Sequence, residues 1–293
     1  MGSEHWRDAH HAVAGRKLPC PRGHRRRVAA RSCHVAAQDG HGTRCSGTAP
    51  CRRLLQLNHP DQSGRQQCPA ARLPNTTRNN ETFTGYYTYP NGHGPFPGIL
   101  LITAIWGTDE EMQELADAWA ADGFVVSVPD IFWRVWPGPT ADRDVAFDRY
   151  GKFDVDQGML DIADLIHDLK ARPECNGKVG VLGFCFGGRY AHLAAARLGV
   201  DAAGAYHGTK IGAHLDETPH VTCPVSLHFG AVDPAVPMDE VEAVKAAYAN
   251  HGNAEIVVYP EAAHNFAMPY KAGYQEAAAK ASRAAVLRCF QNM

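Results

Sequence analysis

From residue 81 onward, short apolar runs alternate with segments in which apolar residues recur at helical spacing. The run at residues 98–105 is predominantly apolar, which predicts a central strand buried on both faces. Further strands are predicted at residues 82–89, 124–128, 202–206, 225–229 and 255–259. Helices are predicted at residues 109–122, 156–171, 186–198, 238–250 and 274–290.

This alternation, with short connections, predicts an α/β domain over residues 81–293. The expected architecture is one doubly wound, mostly parallel sheet with helices on both faces. Ligands of such sheets bind beyond the carboxyl ends of the strands. Reactive residues that directly follow a strand are therefore the candidates for a site.

Residues 1–80 show neither helical nor strand periodicity, and their charge is unlike that of the rest. They hold 14 basic and 4 acidic residues, whereas residues 81–293 hold 15 basic and 27 acidic ones. Because aliphatic residues are scarce there, we expect disorder or a non-native extension, such as a GC-rich upstream stretch read as protein. A transit peptide, a zinc site and a basic nucleic-acid arm are weaker alternatives.

The central motif is Gly183-x-Cys185-x-Gly187, where a predicted strand runs directly into a predicted helix. A tight turn of this kind, a nucleophile elbow, exposes the central side chain, and glycines flank it because a Cβ would collide with neighbouring backbone. The helix dipole favours a thiolate at Cys185, and the N–H of Phe186 is placed to bind an oxyanion. The alternatives are a buried structural cysteine or a nucleotide-binding turn, although Gly-x-Gly-x-x-Gly is absent.

Four other residues follow predicted strands: Asp130, His207, Asp233 and His264. A cysteine nucleophile needs a base, and the base needs an orienting carboxylate. The chain order Cys185, Asp233, His264 is the nucleophile, acid, histidine order of α/β hydrolases. Asp233 could instead cap a loop, and His264 could be structural.

On these motifs, residues 81–293 resemble the dienelactone hydrolase family, α/β hydrolases with a cysteine nucleophile. The matching segments are residues 183–188, 230–237, 263–267 and 129–134. The resemblance implies that Cys185, Asp233 and His264 are catalytic and that Arg134 helps to bind a substrate carboxylate. We expect the N–H groups of Ile105 and Phe186 to form the oxyanion hole.

Two positions depart from the family pattern. Ala104 stands where well-known members have a glutamate that contacts the resting cysteine, and Met268 stands where they have a second arginine for the substrate carboxylate. We therefore expect the resting thiol to contact His264 directly. The substrate then carries either a carboxylate held in another way or none, and Trp106, Phe132, Trp133 and Trp136 indicate an aromatic-lined pocket. We assign Arg134, Trp106, Trp133 and His207 to substrate binding.

The predicted function is hydrolysis of a small ester or lactone through a cysteine acyl-enzyme. The alternative is a catalytically silent protein of the same fold that binds ligands or senses redox state through its thiol. We expect no metal, no organic cofactor, no nucleic-acid partner and no membrane insertion, because no apolar run can span a bilayer. A reduced functional cysteine without an export signal points to the cytoplasm, and the oligomeric state stays open.

Overall fold

The computed structural model describes residues 68–293, which form one eight-stranded sheet flanked by helices. The strands are β1 (Ala70–Thr76), β2 (Thr82–Thr88), β3 (Phe96–Ile102), β4 (Val125–Pro129), β5 (Cys175–Phe184), β6 (Ala202–Tyr206), β7 (Val225–Gly230) and β8 (Ala254–Tyr259). The α-helices are α1 (Glu110–Ala121), α2 (Arg143–Lys152), α3 (Val155–Lys170), α4 (Phe186–Arg197), α5 (Met238–Tyr248) and α6 (Glu276–Gln291), and a 3-10 helix spans Ile211–His220.

The strand order is β1-β2-β4-β3-β5-β6-β7-β8. The six strands from β4 to β8 in this order pair in parallel, while β1 and β2 pair antiparallel. The centre of β3 is fully buried, since Ile99 and Ile102 have no exposed surface. The structure thus confirms the predicted α/β fold with a mostly parallel sheet.

The amino-terminal boundary of the domain differs from the prediction. Disorder was expected up to residue 80, but β1 pairs with β2 from Ala70 to Thr76. Pro74 fits there because an edge strand leaves one side of its backbone without ladder partners. Local composition misses this strand because its stability comes from pairing with β2. The prediction for residues 1–67 lies outside the described residues.

Three of the helices, α1, α2 and α3, begin at an aspartate whose side chain caps the first turn. Asp109 accepts a hydrogen bond from the N–H of Met112 at α1, and Asp154 accepts one from Gln157 at α3, both at 3.0 Å. On one face of the sheet, the rings of Trp119 and Phe290 lie 6.2 Å apart and close the core between α1 and α6. In residues 68–293, no helix has the length and apolar character needed to cross a membrane.

Two segments that position the site were not predicted. Helix α2 was missed because its apolar residues are few. Strand β3 ends at Ile102 rather than at residue 105, so Ile105 lies in the loop that leaves the carboxyl edge of the sheet. The loops after β3, β5, β7 and β8 open at this same edge because these strands are parallel.

Candidate active site

Cys185 lies between the end of β5 and the start of α4 in a strained backbone conformation. Its φ of 51° and ψ of -110° are rare for a residue with a side chain. The conformation is held by a hydrogen bond from the Cys185 N–H to the Tyr206 carbonyl, and by bonds from Gly188 and Thr209 to the Cys185 carbonyl. At the N-cap position of α4, Cys185 meets the positive end of the helix dipole, which stabilises negative charge.

The flanking glycines leave room for this turn. A Cβ at Gly183 would collide with the backbone of Gly187, and one at Gly187 would collide with the backbone of Ile102 in β3. The elbow therefore depends on three backbones meeting at close range. This is the packing that the Gly183-x-Cys185-x-Gly187 pattern predicts.

His264 and Asp233 meet beside the elbow. The His264 Nδ1 lies 2.7 Å from the Asp233 Oδ2, and the Asp233 side chain has no exposed surface. The other carboxylate oxygen, Oδ1, accepts a hydrogen bond of 2.7 Å from the Ala235 N–H. His264 also makes a side-chain hydrogen bond with Cys185. The structure therefore brings together the three side chains that chain order singled out.

The charge balance at His264 favours the imidazolium. Burial alone lowers its pKa, but the negative charge of Cys185 and the hydrogen bond and charge of Asp233 raise the pKa to about 10. The contacts of His264 with Asp233 and Cys185 thus favour a protonated His264 at neutral pH. Ala104 is buried at the position of the family glutamate, and no carboxylate from residue 104 competes for the sulfur.

A buried arginine that sequence reasoning missed fixes the loop of Ile105. Arg149, on α2, donates from Nε and Nη2 to the Ile105 carbonyl at 2.8 and 2.5 Å, and from Nη1 to the Gly138 carbonyl at 2.7 Å. Its guanidinium lies over the Phe132 ring at 4.3 Å. These bonds orient the peptide groups around Ile105. No periodic signal marks Arg149, because α2 itself is only weakly amphipathic.

The second predicted oxyanion donor, Phe186, is the first residue of α4, so its N–H has no acceptor within the helix. Its ring centres an aromatic cluster. The rings of Phe132, Phe153, Tyr190 and Tyr150 lie 4.9, 5.0, 4.8 and 5.9 Å from it. This cluster forms an apolar wall beside the elbow.

Arg134, which the family resemblance assigns to a substrate carboxylate, is engaged by carboxylates of the protein itself. Its guanidinium donates two hydrogen bonds to Asp161, at 2.8 and 3.0 Å, and two to Glu81, at 3.2 and 2.7 Å. Trp133 belongs to the same cluster: its Nε1 donates to Asp161 at 3.1 Å, and its ring stacks on Phe83 at 4.7 Å. Arg134 and Trp133 therefore tie β2 and α3 together rather than line a pocket.

His207, which we assigned to substrate binding, lies beside His264 in the interior. It has no exposed surface, so it cannot line an open substrate pocket. Its ring centroid lies 4.6 Å from that of His264, and neither ring nitrogen has a hydrogen-bond partner within residues 68–293. Burial and the neighbouring His264 lower the pKa of His207 well below its usual value, so it is neutral. Trp106, which is half-buried in the Ile105 loop, remains a candidate pocket residue.

Metal binding has no support in the described part of the chain. Residues 68–293 contain no group of three or more His, Cys, Asp or Glu side chains placed to hold a metal ion. Met268, at the position of the missing family arginine, is almost fully buried and packs in the core.

Comparison with known proteins agrees with this geometry. The model of the dienelactone hydrolase family matches residues 83–293. A carboxymethylenebutenolidase of Pseudomonas putida is 32% identical over 192 residues, which cover 63% of this chain and 81% of that protein. Carboxymethylenebutenolidase 1 of Cupriavidus pinatubonensis is 27% identical over 218 residues, covering 72% of this chain and 92% of that protein.

Solved structures give the same result. A crystal structure of a Klebsiella pneumoniae protein assigned to the dienelactone hydrolases superposes with a TM-score of 0.71 and 28% identity, covering 78% of this chain and 100% of that one. The family match extends over most of the described residues and includes the elbow, the Asp233 loop and the His264 loop. The chain therefore belongs to the dienelactone hydrolase family of carboxylic ester and lactone hydrolases.

Proposed function

We propose that this protein hydrolyses a small ester or lactone through a cysteine acyl-enzyme. In this mechanism Cys185 is the nucleophile, His264 is the acid and base, and Asp233 orients and charges the imidazole. The observation that carries the proposal is the linked chain from the strained Cys185, through its hydrogen bond to His264, to the buried Asp233. The names of the Pseudomonas and Cupriavidus relatives point to a butenolide, an unsaturated lactone, as a substrate type.

Acylation begins from the thiolate–imidazolium pair. The Cys185 sulfur attacks the carbonyl carbon, and the carbonyl oxygen becomes an oxyanion that the N–H groups of Ile105 and Phe186 stabilise. When the tetrahedral intermediate collapses, the C–O bond to the alcohol breaks, and His264 gives its proton to the leaving oxygen. With a lactone, the ring opens and the alcohol stays attached to the acyl group.

Deacylation uses the same groups in reverse. Neutral His264 takes a proton from water, and the resulting hydroxide attacks the thioester carbon. The C–S bond breaks, the sulfur leaves as a thiolate, and the imidazolium pairs with it again. The net reaction consumes one water and yields one acid and one alcohol. Asp233 stabilises the imidazolium at both stages because its carboxylate accepts a hydrogen bond from the Nδ1–H group.

The direct test uses Cys185→Ala with a 4-nitrophenyl ester and an aromatic lactone. We expect the parent to show an acyl adduct on Cys185 by mass spectrometry after rapid quenching, and the variant to lose at least about 10³-fold in kcat together with the adduct. Cys289→Ala, which removes another thiol that is free in the structure, is the matched control. A Cys185→Ala variant as fast as the parent would refute the mechanism.

The same experiment separates the alternative of a thiol-bearing binding or redox-sensing protein. Such a protein would react with iodoacetamide at Cys185 and show no turnover of either substrate. Since the mechanism needs a reduced thiol, we propose the cytoplasm as its place of action.

A further inference from the structure

We infer that His207 is a positioning residue for the reaction: its buried ring holds the imidazole of His264 in place and stabilises the positive charge of that imidazole. This inference rests on the proposed function and adds to it a second histidine, which has no exposed surface and so does not bind the substrate itself. His207 directly follows β6, at the same edge of the sheet as the elbow.

The buried histidines of the described chain differ in the partners of their ring nitrogens. Residues 68–293 contain three histidines without exposed surface: His192, His207 and His228. Both nitrogens of His192 and of His228 have hydrogen-bond partners, at 2.7 to 3.2 Å. Neither nitrogen of His207 has a partner within the same residues. A buried N–H without an acceptor lowers the stability of a fold, so packing alone would favour an apolar residue at position 207.

The backbone of His207 is strained as well. Its φ is 41°, in a region that residues with a side chain rarely adopt. The adjoining residues hold the elbow: the Tyr206 carbonyl accepts a hydrogen bond of 3.1 Å from the Cys185 N–H, and the Thr209 N–H donates one of 3.0 Å to the Cys185 carbonyl. The short segment that fixes the nucleophile therefore also places His207, and strain of this kind is concentrated at functional sites.

The ring of His207 packs directly against the ring of His264. Their centroids lie 4.6 Å apart and their planes meet at 66°, so the edge of one ring faces the other. The rings of Phe184 and Phe266, with centroids 6.2 and 5.9 Å from His207, hold it there. Hydrogen bonds at the two nitrogens of an imidazole still allow it to rock about the line that joins them. Contact with His207 removes this freedom from His264.

The groups around the two rings determine which ring is positive. Burial lowers the pKa of His264, but Cys185 after β5 and Asp233 after β7 raise it to about 10. Burial and the charge of His264 lower the pKa of His207 well below its usual value, and the two phenylalanine rings beside it carry no charge. The electron-rich face of a neutral ring attracts a cation, whereas a second cation would repel it. His207 therefore stabilises the imidazolium and does not compete for its proton.

The test follows the titration of His264 by NMR of protein labelled with ¹⁵N-histidine, and the His264 signal is identified by its loss in His264→Gln. This measurement needs no substrate. We expect the midpoint, about 10 in the parent, to fall by about half a pH unit or more in His207→Leu, because the imidazolium loses its ring partner. His207→Phe keeps a ring face without nitrogens and should recover most of this shift.

Steady-state kinetics on a 4-nitrophenyl ester give the second readout. We expect His207→Leu to lower kcat by about 10-fold with little change in KM, because proton transfer by a misplaced His264 is slower. The matched control is His192→Leu, which removes another buried ring together with its two hydrogen bonds. This control should lower the free energy of unfolding more than His207→Leu does, and leave both the midpoint and kcat unchanged.

The inference is overturned if His207→Leu keeps either the midpoint or the kcat of the parent, or if His192→Leu shifts them as far. A midpoint in His207→Phe as low as in His207→Leu overturns the stabilisation of charge by the ring. If the parent hydrolysed no ester but the midpoint fell in His207→Leu, the proposed hydrolysis would fail while the contact between the two histidines would stand. Hydrolysis through Cys185 with an unmoved midpoint would give the reverse result.

Discussion

Two clusters of charged side chains border the carboxyl edge of the sheet, and they use charge in opposite ways. Around Arg134, positive and negative groups are fully matched, with four hydrogen bonds shared between Glu81 and Asp161. Around Cys185, the backbone is strained, and the charges depend on one chain of contacts through His264 to a completely buried Asp233. The first arrangement fastens α3 to β2, and the second keeps a reactive pair ready.

The comparison teaches that neither residue type nor position at the strand ends reveals what a charge does. Arg134 follows a strand in a family motif, yet its partners show a structural role. A matched cluster should respond to mutation in stability, whereas the strained cluster should respond in rate. Four predictions test this division.

The largest effect is expected at Asp233. Changing Asp233→Asn keeps the size of the side chain but removes the charge that stabilises the imidazolium of His264. We expect kcat to fall by about 10⁴-fold, because an amide leaves the imidazole with the wrong tautomer. Steady-state kinetics on a 4-nitrophenyl ester measure this loss. A fall of less than tenfold would mean that Asp233 only caps its loop.

Arg149→Met should lower both the rate of hydrolysis and the stability of the fold. Loss of the bonds to the Ile105 carbonyl frees the loop that carries a proposed oxyanion donor, and we expect kcat to fall by about 10²-fold. The free energy of unfolding should fall by about 3 kcal/mol, because buried carbonyls lose their donors. Urea unfolding monitored beside kinetics separates the two effects. Unchanged kcat in a destabilised variant would limit Arg149 to a structural role.

Arg134→Gln should lower stability and leave the chemistry intact. It leaves the buried carboxylate of Asp161 without its main cation, and we expect a loss of about 2 to 3 kcal/mol in the free energy of unfolding. Glu81→Gln is the matched control, since the Glu81 carboxylate is exposed and its loss should lower the free energy of unfolding clearly less than the loss of Arg134. Equal losses for the two variants would contradict the view that Asp161 is the centre of the cluster.

The smallest effect is expected from pH. The pKa of His264 is raised to about 10 from an ordinary value near 6.5, so the protonated imidazole stabilises the folded state. This stabilisation is complete below about pH 6.5 and is lost as pH rises through about 10. The difference in unfolding free energy between the parent and His264→Gln should therefore shrink by on the order of 2 kcal/mol from pH 6 to pH 10.5. A difference that grows with pH would contradict the imidazolium assignment.

The sequence alone was enough to predict the turn at Cys185 and the contact between Asp233 and His264. Strand ends in a parallel sheet converge, and the glycine spacing around Cys185 reports a backbone constraint that is local. The family resemblance, which those motifs carried, is confirmed by the family match over residues 83–293.

The rest depended on contacts that no local pattern records. The partners of Arg134 lie 27 and 53 residues away in the chain, so the residues around Arg134 do not predict them. His207 follows a strand like the other candidates, but burial removes it from the pocket. Strand β1 forms because it pairs with β2, which its own residues do not indicate. Arg149 could not be predicted because it lies on a helix with few apolar residues, which is held by packing.

The crowding at the elbow restricts how this protein can evolve. Side chains at positions 183 and 187 are barred by neighbouring backbone, so mutation there would dismantle the turn itself. The Cβ of residue 185, by contrast, is already accommodated, and serine differs from cysteine by a single atom. A single nucleotide change can therefore replace the cysteine at position 185 by serine while the surrounding glycines are retained.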